Sequence, residues 1–176
     1  MKGRVALFGG TFNPLHNAHL VIAGNALRQF GLSQVVFVPN GTPPDRPSES
    51  RPAKEDRYRM VEEAVDGREG FSVSRIEIDR DGPSYTIDTI RALKDDYPQG
   101  ICFVIGADSL LRIGTWKEPE AVIASVPFVV APRKGVSLPA FHGEPFDEAS
   151  IHVLNMPEVD VSSTLLRTKA QHGESI

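Results

Sequence analysis

The chain has 176 residues and a mass of 19.2 kDa, the size of one compact domain. Apolar residues at 40% and charged residues at 24% exclude wholesale disorder, and 19 Lys and Arg against 23 Asp and Glu exclude a strongly basic nucleic-acid-binding domain. A lone cysteine, Cys102, excludes an internal disulfide framework and points to a reducing cytoplasm, while no apolar run approaches the ~18 residues of a membrane helix.

Residues 5–8 read as a buried strand that ends at Gly9-Gly10. A loop over 11–16 leads to a helix expected to start at Asn17 as N-cap. Leu20, Ala23, Leu27 and Phe30 form its apolar stripe, and Gly31 is its C-cap. Residues 35–38 form a second strand. The loop over 39–52 holds five prolines, Pro39, Pro43, Pro44, Pro47 and Pro52, and its length suits a lid or binding loop. A helix over 54–65, a strand with a break over 71–78 and a helix over 84–93 follow; Ile87, Ile90 and Leu93 share one face of the last. Residues 101–105 are a continuous apolar run, as a central strand requires. A helix over 118–124 and a strand over 126–131 come next. Residues 132–150 read as loop, 151–154 or 159–161 as a last strand, and 162–170 as a final helix. Strands apolar throughout, alternating with helices, predict an α/β fold: a parallel sheet covered on both faces. Such sheets bind ligands at the carboxyl ends of their strands, so the loops after Phe8, Val38, Ile105 and Ala131 are the ones to watch.

Four constellations fall in those loops or at helix starts. Gly9-Gly10-Thr11-Phe12-Asn13-Pro14-Leu15-His16-Asn17-Ala18-His19 has neither the dinucleotide spacing nor a P-loop lysine. His16 and His19 stand at a helix entrance with no carboxylate in the first turn, a pattern open to an anion site, to exposed or capping histidines, or to zinc chelation. Ser162-Ser163-Thr164-Leu165-Leu166-Arg167 places a cation near the unfavourable end of a helix, which a bound phosphate would resolve and a solvated arginine would also explain. Gly82-Pro83-Ser84-Tyr85-Thr86 turns into a helix whose free amides can receive a carboxylate or simply start the helix. Ile105-Gly106-Ala107-Asp108-Ser109 sets Asp108 just past the best strand, where it can meet a ribose hydroxyl. Trp116 is a core plug or a stacking platform. Arg133-Lys134 reads equally as a phosphate contact or an exposed loop, and Cys102, inside an apolar strand, as inert core.

Taken together, these segments resemble the nucleotidyltransferase superfamily that carries His-x-Gly-His and Ser-Ser-Thr-x-x-Arg motifs. The Ser84-Tyr85-Thr86 and Gly106-Ala107-Asp108 segments, Trp116, and Pro39-Asn40 followed by Pro43-Pro44 resemble its bacterial nicotinate-nucleotide adenylyltransferases. The resemblance runs from Val5 to Arg167. It implies a single Rossmann-like domain over 1–176 that lacks the usual C-terminal extension, and a cytoplasmic enzyme of NAD biosynthesis. Adenylyl transfer from ATP, with Mg²⁺, to nicotinate mononucleotide is the implied reaction. His16, His19 and Arg167 would be catalytic. Gly9, Gly10, Thr11, Phe12, Gly106, Asp108, Ser163 and Thr164 would join them around ATP. Asn40, Tyr85, Thr86, Asp108, Trp116 and Arg133 would hold nicotinate mononucleotide. No resident protein-bound metal, nucleic acid or membrane is implied, and a homo-oligomer is left open. Alternatives are the same fold with nicotinamide mononucleotide or phosphopantetheine as acceptor, and a nucleotide-binding module impaired in catalysis. Ala18 stands where the family pattern has Gly, and Asp45 with Arg46 where it has His.

Overall fold

The computed structural model describes residues 1–44, 52–133, 135–136, 141, 143, 145–147, 149–157 and 161–175. In chain order the elements are β1 (Val5–Gly10), α1 (Asn17–Phe30), β2 (Gln34–Pro39), α2 (Lys54–Val65), β3 (Phe71–Val73) and α3 (Thr86–Leu93). Then come β4 (Ile101–Gly106), α4 (Ala107–Leu110), a 3₁₀ turn (Ile113–Thr115), α5 (Pro119–Ser125), β5 (Phe128–Ala131), β6 (Ile151–Val153) and α6 (Ser163–Gln171). The six strands pair in parallel in the order β3-β2-β1-β4-β5-β6. That is the doubly wound Rossmann order, and the direction of winding reverses between β1 and β4.

Alternation along each strand builds two cores. Val5 and Leu7 of β1 face one side with Phe103, Ile105 and Phe128, covered by Ile87, Ile90 and Leu93 of α3 and by Val122 and Ile123 of α5. Ala6 and Phe8 face the other with Phe37, Cys102 and Val104, covered by α1 and α2 through Ala23, Ala26, Val61 and Val65. Leu7, Phe37 and Phe128 are fully buried, each contributing about 1.5–3 kcal/mol relative to exposure. Cys102 lies among them, and burial pushes its thiol up to about 12, so it is inert core.

The structure corrects several boundaries. His16, not Asn17, is the extended N-cap of α1. The buried residues of α1 are small, Ala18, Ala23 and Ala26, while Leu20, Leu27 and Phe30 are only partly buried. The expected strand over 71–78 is only three residues long, because Ser74 turns the chain by accepting the Ile76 N–H at its own Oγ. The expected helix over 84–93 begins at Thr86, since Ser84 is engaged elsewhere. α4 and the 3₁₀ turn occupy what read as loop after residue 105. Of the two candidate last strands, 151–153 pairs with β5. Val159, together with Asp45, Arg46 and Lys134, lies outside the described residues.

Candidate active site

A cleft of about 620 Å³ opens over the carboxyl ends of β1, β2, β4 and β5. It is lined by Gly9, Gly10, Thr11, His16, His19, Asn40, Tyr85, Thr86, Gly106, Asp108, Trp116, Arg133 and Ser163, all read from the sequence as site residues. Ala18 lines it too, although the residue is only 4% exposed.

β1 delivers the first wall. Its two glycines are closely approached by rings: a Cβ on Gly9 would stand 3.0 Å from Phe103 and one on Gly10 3.0 Å from Phe12, so either ring would have to give. Phe12 then takes a left-handed conformation (φ 46°) and turns inward, packing edge-on to Phe8 at 5.9 Å and to His19 at 5.2 Å. It is 2% exposed and does not line the cleft; its ring packs edge-on against His19. The two imidazoles lie 3.9 Å apart. The His16 backbone N–H donates to His19 Nδ1 at 3.2 Å, which leaves the proton of a neutral His19 on Nε2. Burial, and then the neighbouring His16, lower the His19 pKa to about 4. The His16 pKa is also lowered, by burial and then by the charge of Arg133, which acts on His19 as well. Arg133 therefore belongs to the histidine end of the cleft.

α6 reaches the same loop from the other side. Ser162 caps the helix by accepting the Leu165 N–H at 3.2 Å. Ser163 Oγ donates to Pro14 O at 2.9 Å, and Arg167 Nη1 to Asn13 O at 2.6 Å. Arg167 Nη2 meets Thr164 Oγ1 at 3.2 Å. Neither Thr164 nor Arg167 lines the cleft; the guanidinium is bonded to the loop that leads to the histidines.

The opposite wall is held by a polar network that the sequence reading missed. Arg57, 3% exposed within α2, donates from Nη1 to Thr11 O at 2.8 Å and from Nη2 to Gly41 O at 3.0 Å. One guanidinium thus ties the loop after β1 to the loop after β2. Ser84 Oγ accepts the N–H groups of Gly41 at 3.0 Å and Thr42 at 3.3 Å. Glu77, 5% exposed, accepts from Thr89 Oγ1 at 2.7 Å, and Arg80 Nη1 donates to that same hydroxyl at 3.1 Å. Burial pushes the Glu77 carboxyl up, against the pull of the Thr89 and Ser84 hydroxyls and the Arg80 and Arg57 charges. Gly41 has to be glycine, because a Cβ there would lie 2.0 Å from the Glu77 carbonyl oxygen. Tyr85 and Thr86 follow this network directly, at the N-terminus of α3. Trp116 lines the same cleft, partly buried and edge-on to Phe103 at 6.4 Å.

The cytidylyltransferase-like family pattern matches residues 7–169. The "Probable nicotinate-nucleotide adenylyltransferase" of Salinibacter ruber is 38% identical, over 98% of this chain and 88% of its own length. Its namesake from Geobacillus thermodenitrificans is 39% identical, over 99% of this chain and 78% of that relative. The chain belongs to the cytidylyltransferase-like family, among its nicotinate-nucleotide adenylyltransferases. The fold agrees with that of the Plasmodium falciparum nicotinic acid mononucleotide adenylyltransferase, solved in complex with NaAD. That likeness has a TM-score of 0.77 at 16% identity and covers 94% of this chain and 83% of that one.

The cleft gathers the two histidines, Asp108 and Trp116, and Phe12, Thr164 and Arg167 do not line it. Among the described residues, no group of three or more His, Cys, Asp or Glu side chains could hold a metal ion, so His16 and His19 have no third ligand of that kind. Among the same residues, no helix is long and apolar enough to cross a membrane.

Proposed function

We propose that the chain transfers the adenylyl group of ATP to nicotinate mononucleotide, releasing pyrophosphate and giving the deamido form of NAD. The observation that carries the reading is 38% identity to a nicotinate-nucleotide adenylyltransferase along 98% of the chain. The cleft agrees in its chemistry. One end is built from glycines, imidazoles and a guanidinium, as a triphosphate needs. The other is built from Trp116 and the first turn of α3, as an anionic aromatic ring needs.

The acceptor's phosphate monoester is largely dianionic at pH 7, with a second pKa of roughly 6. One of its oxygens forms a bond to the α-phosphorus while the bond from that phosphorus to the bridging oxygen breaks, and pyrophosphate leaves with the electron pair. No general base is required, and no covalent intermediate on the protein. The protein's task is alignment and charge. His19 Nε2–H and His16 donate to the phosphates from the floor of the cleft. Arg133, which bears on both imidazoles, neutralises charge where acceptor phosphate and α-phosphate meet. Ser163 lies where the pyrophosphate leaves, and Arg167, steadied by Thr164 Oγ1, turns from the Asn13 carbonyl to meet it when ligand is bound. Gly9, Gly10, Thr11 and Gly106 let the nucleotide lie against backbone, and Phe12 braces His19. Asp108 and Asn40 take the ribose hydroxyls; Asn40 Oδ1 is a buried acceptor with no donor among the described residues. Tyr85, Thr86 and Trp116 hold the ring. Magnesium enters with the triphosphate as part of the substrate and offsets its charge.

Pyrophosphate release from MgATP, measured with nicotinate and with nicotinamide mononucleotide, tests the reading. Strong preference for the acid is expected. Equal use of both discards the carboxylate contact, and release with neither discards the reaction.

A further inference from the structure

The Trp116 side of the cleft is fastened to α3 by two ion pairs. Arg91 donates to Glu118 at 3.1 and 2.6 Å, and Lys117 Nζ donates to Asp88 at 3.2 and 3.0 Å. The two pairs differ in place. Lys117 lines the cleft, and its ammonium also lies 4.8 Å from the centroid of the Tyr85 ring; Arg91, Glu118 and Asp88 do not line it, so the Asp88 charge is felt through the turn it sits in. Asp88 sits in the first turn of α3, two residues after Thr86.

A carboxylate in that position has two effects. It satisfies the helix dipole, and it repels any second anion brought to the same turn. An acceptor with a ring carboxylate at Thr86 meets this repulsion; a neutral amide does not. Lys117 stands where it cancels the Asp88 charge on the cleft side. The other Lys or Arg side chains lining the cleft among the described residues are Arg112 and Arg133. Arg133 acts at the histidines, and only Lys117 is bonded to the turn that carries Thr86.

We propose that Lys117 is a specificity-determining residue: its ammonium, shared with Asp88, sets the preference for an acceptor bearing a ring carboxylate over one bearing a neutral amide. This rests on the reading that the acceptor ring lies between Trp116 and Thr86. The pair is partly exposed, with side chains 41% and 32% accessible, so its influence is that of one screened charge at short range.

The test measures kcat and KM for nicotinate and nicotinamide mononucleotide with full-length wild-type chain, Lys117→Gln, Lys117→Arg and Asp88→Asn. Lys117→Gln is expected to lower kcat/KM for the acid roughly three- to fivefold, through KM, and to leave the amide unchanged. Lys117→Arg keeps the acid-to-amide ratio. Asp88→Asn raises that ratio, because it removes the repelling charge. Added salt erodes the ratio in wild type and not in Lys117→Gln. A pair that merely straps Trp116 to α3 would instead weaken both acceptors alike, and in both neutralising variants. That result, or an unchanged ratio in an enzyme active on the acid, overturns the inference alone. Release of pyrophosphate with neither acceptor overturns the functional reading and the inference with it.

Discussion

His19 has to remain neutral in the folded protein and still meet a polyanion. The Phe8 and Phe12 rings remove water from it, at centroid distances of 5.9 and 5.2 Å, and its pKa falls to about 4. Its unfolded value is roughly 6.5, so below that pH the unfolded chain binds a proton that the folded chain refuses. Stability therefore drops as the pH falls from about 6.5 towards about 4, by on the order of 2 kcal/mol between pH 7 and pH 5. Urea unfolding of wild type and His19→Asn at the two pH values measures this; the variant should show a loss smaller by about that amount. At pH 7 the same substitution should lower kcat by on the order of 10²–10³ through the lost donor to the phosphates. If kcat is retained, His19 is core rather than catalytic. None of this perturbation is legible in the sequence. The His-x-x-His spacing shows two imidazoles at a helix entrance, but the inward turn of Phe12 that desolvates one of them depends on a positive φ at a non-glycine residue. Arg57 and Glu77 are hidden for a similar reason. In Lys-Glu-Asp-Arg-Tyr-Arg an arginine looks solvated, and only contacts to Thr11 and Gly41, 46 and 16 residues away, reveal that it is not.

At the scale of elements, long apolar strands are readable nearly to their bounds and the short edge strands only roughly: β3 falls within the longer strand expected over 71–78, and β6 is one of two candidates. β1, β2, β4 and β5 are buried on both faces and announce themselves as apolar runs. β3 is a three-residue edge, and α4 a single turn, too short to carry a period. α6 was readable from its cap and hydroxyls, although it buries no residue. Its attachment is polar, through Ser163 to Pro14 and Arg167 to Asn13. Removing the guanidinium therefore should cost little stability and much activity. Arg167→Ala is expected to lower kcat by on the order of 10²–10³ while moving Tm by less than about 4 °C, the shift expected from roughly 1 kcal/mol in a chain of this size. Arg167→Lys restores charge but not the two-pronged grip on Asn13 O and Thr164 Oγ1, so it should recover only part of the rate. Parallel loss of Tm and activity in both variants would return Arg167 to a structural role.

For the whole molecule, the strand order has a consequence that no single residue shows. The sheet reverses between β1 and β4, so the cleft draws one wall from each half: β1, β2 and their loops on one side, β4, β5 and theirs on the other. A ligand lying across the reversal must tie the halves together, and it binds the folded chain alone. At 100 times its Kd such a ligand adds about 2.7 kcal/mol, and near 2–4 °C per kcal/mol a rise in Tm of roughly 5–10 °C is expected with MgATP. Where the stabilisation falls is the sharper test. Amide hydrogen exchange should slow with MgATP at 9–12, at 106–109 and at 163–167, segments from β1, β4 and α6 that are far apart in sequence. Nicotinate mononucleotide should slow exchange at 40–42 and 84–88, the segments that Ser84 joins through the Gly41 and Thr42 N–H groups. Arg57 donates to carbonyls in both sets, Thr11 and Gly41, so Arg57→Met should leave each ligand's own segments protected while abolishing any protection that one ligand extends to the other's. If each ligand slowed exchange only on its own side already in wild type, the buried guanidinium would serve the fold rather than the alignment of the two substrates.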